Sequence, residues 1–174
     1  MTANLHGKER ASYTTRFGSL ANYEKGGVEI INDDPRHYAF SNVFEVASNA
    51  APYEKTAVGK NMRYVVEVIR AEGTSEWRTA AHDEFTLVLD GEVEISLVKL
   101  ARSPLAPGAG GSVALDGEPE GPPMGRIVAR RGHMALLPAG SAYRFRADQP
   151  GVILQQTVVG PDTLFRWSEI CQSL

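Results

Sequence analysis

Cysteine is almost absent from this chain, and its scarcity limits the sites that the chain can build. Cys171 is the only cysteine among 174 residues. A single thiol can form neither an internal disulfide nor a cysteine-based zinc cluster, so a reducing compartment is favoured. The first residues also lack the apolar run of a signal peptide. We therefore expect a cytoplasmic protein.

The chain also lacks long apolar runs and clusters of cations, and these absences exclude two classes of partner. No stretch approaches the ~20 apolar residues that cross a bilayer, so no membrane partner is expected. The net charge is −3 and the pI is about 5.8, with Lys and Arg spread along the chain. Because a nucleic-acid-binding face needs clustered cations, we expect no nucleic-acid partner.

Short segments rich in β-branched and aromatic residues recur along the chain and predict an all-β fold. Many short strands with few helices are typical of a sandwich or barrel. The dipeptide Asp90-Gly91 lies between two such segments and predicts a two-residue hairpin. The predicted strands are 28–31, 38–47, 63–70, 84–89, 92–100, 126–129, 134–137, 142–147 and 152–159.

The remaining segments indicate how the chain is organised. Residues 1–25 are polar and lack periodicity, so we expect an N-terminal arm followed by a single domain over 26–174. Residues 101–125 are rich in Pro and Gly and predict a long loop inserted within that domain. Apolar residues at helical spacing over 162–173 predict a short C-terminal helix.

One segment, 132–143, has a distinctive spacing of turn residues. Gly132, Pro138 and Gly140 follow the pattern G-x5-P-x-G, and Tyr143 comes three residues after the last glycine. A glycine permits a tight turn into a strand. The Pro-x-Gly unit makes a turn of fixed φ that aims the next strand inward.

This pattern resembles the second motif of the cupin superfamily, G-x5-P-x-G-x2-H, with Tyr143 at the histidine position. The spacing from Glu84 to Gly91 matches E-x6-G, which closes the first cupin motif, and Gly73 matches the start of that motif. The resemblance covers roughly residues 60–160. It implies a jelly-roll β-barrel of the RmlC-like type, with the predicted helix following it.

The resemblance also implies where a metal would bind. Cupins usually hold a metal through an H-x-H pair, the glutamate of motif one and the histidine of motif two. Glu84 matches the glutamate, but the family spacing places the pair at 78–80 or 79–81, where there is no histidine. His82 lies two residues before Glu84, on the same face of an extended strand, and is a candidate substitute. We expect either no cofactor or a single divalent transition metal held by His82 and Glu84.

A small barrel lines its pocket with residues from alternate strand positions. Aromatic rings there would stack on a flat ligand, and an arginine would hold a carboxylate or phenolate. A histidine would move a proton, and a tyrosine hydroxyl would stabilise an enolate or phenolate. The candidate catalytic residues are His82, Glu84 and Tyr143, and the candidate substrate-binding residues are Arg78, Tyr64, Phe145 and Gln155.

The same polar residues have a purely structural interpretation. Glu84 could be a buried carboxylate that is paired with Arg78 or hydrogen-bonded to Tyr143. Tyr143 could be a core side chain whose hydroxyl group is satisfied. Because both interpretations fit the sequence, it remains open whether the protein is an enzyme.

We expect a cupin that binds or transforms a small ligand, an aromatic or hydroxylated acid, with an atypical or absent metal site. One alternative is an iron-type ring-cleaving dioxygenase of aromatic catabolism, although the missing histidines count against it. A second is a metal-free epimerase or isomerase using His82 and Tyr143. A third is a non-catalytic binding module. We also expect a homodimer, paired through apolar segments such as 64–66 and 152–154.

Overall fold

β-strands dominate the described chain and close into a barrel. The computed structural model describes residues 16–24, 26–27, 29–34 and 42–166. This architecture confirms the predicted all-β, jelly-roll fold. Within the described ranges the elements are α1 (Val43–Ser48), β1 (Lys55–Asn61), β2 (Tyr64–Thr74), β3 (Arg78–Ala80), β4 (Glu84–Asp90), β5 (Glu92–Lys99), β6 (Ser112–Ala114), β7 (Pro123–Arg130), β8 (Met134–Leu137), β9 (Ser141–Val158) and β10 (Thr163–Leu164).

One long strand, β9, joins the two walls of the barrel. It runs antiparallel to β2, while its other edge pairs with β5 over residues 141–146 and with β4 over residues 152–156. We call β1, β2, the second half of β9, β4 and β8 the first wall. The first half of β9, with β3, β5, β6 and β7, forms the second wall. Interior residues from both halves of β9 therefore face the same core.

The bend in β9 is matched by a bend between β4 and β5. The hairpin predicted at Asp90-Gly91 is wrong. β4 and β5 do not pair with each other, because each pairs with a different half of β9. Gly91 has a φ of 76°, which favours glycine. A Cβ atom added to Gly151 would lie 2.7 Å from the Asp90 carbonyl oxygen. The two bent strands pass closely because glycines stand at their crossing.

The apolar residues divide between the barrel interior and one outer face. Inward residues from both walls form the main core, which includes Ile69, Ile95 and Ile153. A second cluster lies outside the first wall, where Val46 and Ala47 of α1 pack over the outward residues of β2 and β9. The hydrophobic effect thus stabilises the barrel interior and also holds α1 against the outside of the first wall.

The strands predicted at 142–147 and 152–159 are parts of the single strand β9. The strands predicted at 28–31 and 38–47 and the helix predicted over 162–173 also differ from the structure. The strand predicted for 38–47 is wrong in its described part, because residues 43–48 form α1, where the Asn42 side chain caps the helix by accepting the Phe44 N–H at 2.9 Å. No strand forms over 29–31. The helix predicted from residue 162 is wrong at its start, since Thr163–Leu164 pairs in parallel with β1. Residues 28, 38–41 and 167–173 of these predictions lie outside the described ranges.

The segment predicted as an inserted loop, 101–125, is only partly a loop. It contains β6, which pairs with β3, and the first residues of β7. Glu118 fastens it to the barrel by accepting hydrogen bonds from Trp77 Nε1 at 2.8 Å and from Arg144 Nη1 at 3.0 Å. The segment is therefore attached to the second wall by strand pairing and by side chains.

The helical content of the described chain is small. The helix α1 has six residues. Across the described ranges, no helix combines the length and the apolar character that crossing a membrane would require.

We expect Gly151→Ala to lower the free energy of unfolding by about 1–3 kcal/mol, because its new methyl group would collide with the backbone oxygen of Asp90. Gly125→Ala in β7 is the matched control, since an added Cβ there meets nothing within 4 Å. Denaturant unfolding of both variants measures the difference. Equal stability of the two variants would show that the crossing at Gly151 is not tight.

Candidate functional site

The predicted catalytic residues meet inside the barrel at one end of the first wall. Glu84 is the first residue of β4, and His82 lies in the turn that precedes it. Tyr143 comes from the first half of β9 and Thr157 from its second half. The bend of β9 brings these two residues of one strand to the same carboxylate.

Glu84 is fully buried, and both of its carboxylate oxygens accept hydrogen bonds. Tyr143 Oη donates to Oε2 at 2.6 Å, and Thr157 Oγ1 donates to Oε1 at 2.6 Å. Gln155 Nε2 in turn donates to Tyr143 Oη at 3.2 Å. Burial of a carboxylate is costly unless it is hydrogen-bonded, and these contacts supply the partners.

His82 is tied into the same group of residues. Its Nε2 accepts the Val158 backbone N–H at 3.2 Å and lies 2.8 Å from Thr157 Oγ1. Two groups of β9 thus hold Nε2, the Val158 backbone and the Thr157 hydroxyl group. Nδ1 is buried and has no hydrogen-bond partner among the described residues. The accepting nitrogen of His82 therefore faces the backbone of β9.

The environment of Tyr143 keeps its phenol protonated. Burial raises the pKa of Tyr143 well above 10.0, and the charge and hydrogen bond of Glu84 raise it further. Hydrogen bonds with Ser112 and Gln155 act in the opposite direction and do not offset these effects. Tyr143 is therefore a fixed donor to Glu84.

A second buried polar cluster lies in the same barrel. Lys55 Nζ contacts Ser112 Oγ at 2.5 Å and Glu67 Oε2 at 3.4 Å. Thr163 Oγ1 donates to Glu67 Oε1 at 2.6 Å. Lys55 and Glu67 are only 5% and 1% exposed. Through these contacts, Lys55 and Glu67 link β1 and β2 to β6 and β10.

The predicted substrate-binding residues do not line a common opening. Arg78 donates to the Ser112 carbonyl oxygen at 3.0 Å and forms an ion pair with Asp162. Phe145 and Gln155 are buried in the interior. The predicted inward orientation of Tyr64 is wrong, because Tyr64 is 54% exposed on the outside of the first wall. Its neighbour Val65 takes the inward position.

The residues at the cupin metal position do not fit a metal as they are arranged. Within the described ranges, no group of three or more His, Cys, Asp or Glu side chains is placed to hold a metal ion. Both oxygens of Glu84 already accept hydrogen bonds, and Tyr143 presents a protonated phenol where the motif has an imidazole. Transition metals prefer imidazole, thiolate and carboxylate ligands, and this set offers too few.

The sequence interpretation missed several members of these clusters. Thr157 could have been found, because it lies two residues after Gln155 and shares its face of the strand. Lys55, Glu67 and Ser112 gave no local signal. Lys55 and Ser112 lie outside all the predicted strands, and their contact joins residues far apart in the chain.

Two solved structures of hydroquinone 1,2-dioxygenase contain a chain similar to this one. In PnpCD, in complex with Cd2+ and 4-hydroxybenzonitrile, that chain is 53% identical with a TM-score of 0.88, and the match covers 95% of this chain and 100% of that one. In the Sphingomonas sp. TTNP3 enzyme with 4-hydroxybenzoate bound, the corresponding chain is 59% identical with a TM-score of 0.88. That match covers 93% of this chain and 99% of the other. No family model and no curated protein matches the chain.

A second kind of chain carries the same enzyme name. In PnpCD in complex with Fe3+, a chain 11% identical to this one matches with a TM-score of 0.60. The match covers 82% of this chain but only 40% of that chain, which is therefore much longer. At this identity the likeness shows a shared fold alone.

We expect Tyr143→Phe to lower the free energy of unfolding at neutral pH by about 1–3 kcal/mol, because Glu84 and Gln155 lose a buried partner. The difference from wild type should narrow above pH 10. The native pKa of Tyr143 is raised, so the unfolded wild-type chain releases this proton first, and wild-type stability falls as the pH rises. Phenylalanine has no such proton.

Denaturant unfolding near neutral pH and at about pH 11 measures this convergence, with each pH unit above the unfolded pKa worth up to about 1.4 kcal/mol. Tyr64→Phe is the matched control, because that hydroxyl group lies on the exposed outer face. A stability difference for Tyr143→Phe that stays constant with pH would contradict the assignment.

Proposed function

Because the chain belongs to the cupin family of hydroquinone 1,2-dioxygenase chains, we propose that it is the shorter subunit of a two-chain ring-cleaving dioxygenase. The observation that carries the proposal is its match to almost the full length of two short chains at 53% and 59% identity. The substrate class we propose is a para-substituted phenol of the hydroquinone type. The match to these chains favours the dioxygenase alternative over the broader expectation of a cupin that binds an aromatic or hydroxylated acid.

We assign the iron of this activity to the longer chain. The residues of this chain at the cupin metal position are engaged with one another and leave too few ligands. A structure of PnpCD that contains a longer chain of the same fold is in complex with Fe3+. Iron would supply the activation of dioxygen that ring cleavage requires, and His82 and Glu84 would not be its ligands.

The role proposed for the buried residues is structural. Glu84 links β4 to both halves of β9 through Tyr143 and Thr157. Lys55 and Glu67 link β1 and β2. Both carboxylate oxygens of Glu84 have hydrogen-bond partners, and buried hydrogen bonds that join several strands make a core rigid. A rigid barrel suits a subunit that supports the site of its partner.

A metal-free epimerase fits the geometry of these residues less well. Such an enzyme would need Tyr143 and His82 free to act on a ligand, but Tyr143 donates to Glu84 and His82 accepts from Val158. The predicted homodimer and the cytoplasmic location stay predictions. A longer cupin chain is favoured as the partner, because the relatives' enzyme name covers two kinds of chain.

The test is oxygen uptake with hydroquinone and Fe(II). We expect the chain alone to consume no oxygen above background. Adding the longer PnpCD chain should give hydroquinone-dependent uptake well above that of the longer chain alone. Uptake is measured with an oxygen electrode on equimolar mixtures of the two chains. His133→Ala is the control variant, because it also removes a histidine but lies outside the buried network that contains His82.

Two results would overturn the proposal. Turnover by the isolated chain at the rate of the mixture would make it a complete enzyme. A mixture no faster than the longer chain alone would remove the subunit role. Normal uptake by the His133→Ala mixture would show that a loss of uptake in the corresponding His82→Ala mixture is specific to the buried network.

A further inference from the structure

The outer face of the first wall is apolar over a wider area than α1 covers. Val68 and Val152 are buried beneath α1 and the residues packed around it. Beyond this cover, on the same face, Phe85 is 45% exposed, Leu136 45% and Met134 65%. A sheet face that meets water normally carries polar side chains. The uncovered part therefore needs an explanation.

Strand register shows that this uncovered part is continuous. Val66 lies opposite Gln156, Gln156 opposite Phe85, and Phe85 opposite Leu136, in one row across four strands. In the next row, Leu87 lies opposite Met134. None of these side chains is charged. We call the following residues the outer apolar face: Tyr64, Val66, Phe85, Leu87, Met134, Leu136 and Gln156.

The outer face of the second wall shows how this chain builds a surface for water. Arg126 pairs with Glu94 at 3.3 Å, and Arg130 pairs with Glu92 at 2.5 Å across β5 and β7. Along β5 and β7, the residues of these ion pairs alternate with residues whose side chains point into the barrel. The seven residues of the outer apolar face include no charged side chain, and depletion of charge is typical of the core of a protein interface.

The outer apolar face also reaches a free sheet edge. Among the described residues, β8 pairs with β4 only. Its outward residues Met134 and Leu136 are apolar. Exposed edge strands are normally protected by lysine, proline or a covering element. The edge is therefore consistent with a surface that is covered in an assembly.

The size of the face suits a stable interface. Tyr64, Phe85, Met134 and Leu136 together expose on the order of 400 Å². This is about half of the ~800 Å² that each partner contributes to a standard interface. The neighbouring residues Val66, Leu87 and Gln156 extend it.

We infer that the outer apolar face docks the longer chain of the dioxygenase, and this rests on the function proposed above. A longer chain that shares the fold can offer a sheet of its own. Two sheets pack face to face when both faces are apolar and nearly uncharged. Structures of PnpCD contain both a short chain similar to this one and a longer chain of the same fold. This favours the longer chain, rather than a second copy of this chain, as the partner that covers the outer apolar face.

The test measures binding of the longer PnpCD chain to wild type, Phe85→Asp and Leu136→Asp by titration calorimetry. We expect each variant to weaken binding at least about tenfold, because a carboxylate would be buried without a partner at the centre of the interface. Val128→Asp is the matched control. Val128 is 48% exposed on the second wall, and its variant should bind within about twofold of wild type.

The outcomes separate the two proposals. No binding by wild type would overturn both the subunit role and this docking face. Wild-type affinity in Phe85→Asp and Leu136→Asp would overturn the docking face alone. Light scattering adds a further outcome. Loss of self-association in these variants, with binding to the longer chain retained, would assign the face to a second copy and overturn the inference.

Folding of the variants is checked by thermal unfolding. We expect Phe85→Asp and Leu136→Asp to unfold within a few degrees of wild type, because both side chains are already half exposed. Met134→Asp, at the most exposed of the three positions, gives a further variant if either fails to fold. Strong destabilisation of all three would mean that the chain's own residues cover the face, which would overturn the inference.

Discussion

The burial of Glu84 is the constraint on which the barrel interior depends. A carboxylate with no exposure to water must have partners for both oxygens, and this chain supplies them from the two ends of one strand. Tyr143 and Thr157 can both reach Glu84 only because β9 bends between them. The close crossing at Gly151 lies between the two halves of β9. Backbone geometry and a buried hydrogen-bonded cluster thus support each other.

The same cluster explains how a cupin can keep its motif spacing without its usual metal ligands. A metal would neutralise the motif-one glutamate, whereas here a phenol and a hydroxyl group stabilise it. Glu84 and Tyr143 are engaged with each other in the barrel, and this fits the proposal that the chain works beside a longer chain in one enzyme. The outer surfaces fit this proposed role, since β5 and β7 carry ion pairs across their outward side, whereas the outer apolar face has no charged side chain.

Local patterns in the sequence predicted the barrel but not the contacts inside it. The spacing of Gly132, Pro138 and Gly140 predicted β8 and the start of β9, because turn residues act through their own backbone. The orientation of Tyr64 was wrong, since three apolar residues in a row give no alternation to follow. The contact of Glu84 with Thr157 joins positions 73 residues apart. Such pairs depend on strand register, which the chain sets only when it folds.

The iron content of the isolated chain tests the account most directly. The chain would be purified without an affinity tag, exposed to Fe(II) in the absence of oxygen, desalted and measured by mass spectrometry of the metal. Hydrogen bonds at Glu84 in place of a metal predict no stoichiometric iron in the chain alone, with iron retained once the longer chain is bound. Stoichiometric iron in the isolated chain, lost in His82→Ala and Glu84→Gln, would contradict it.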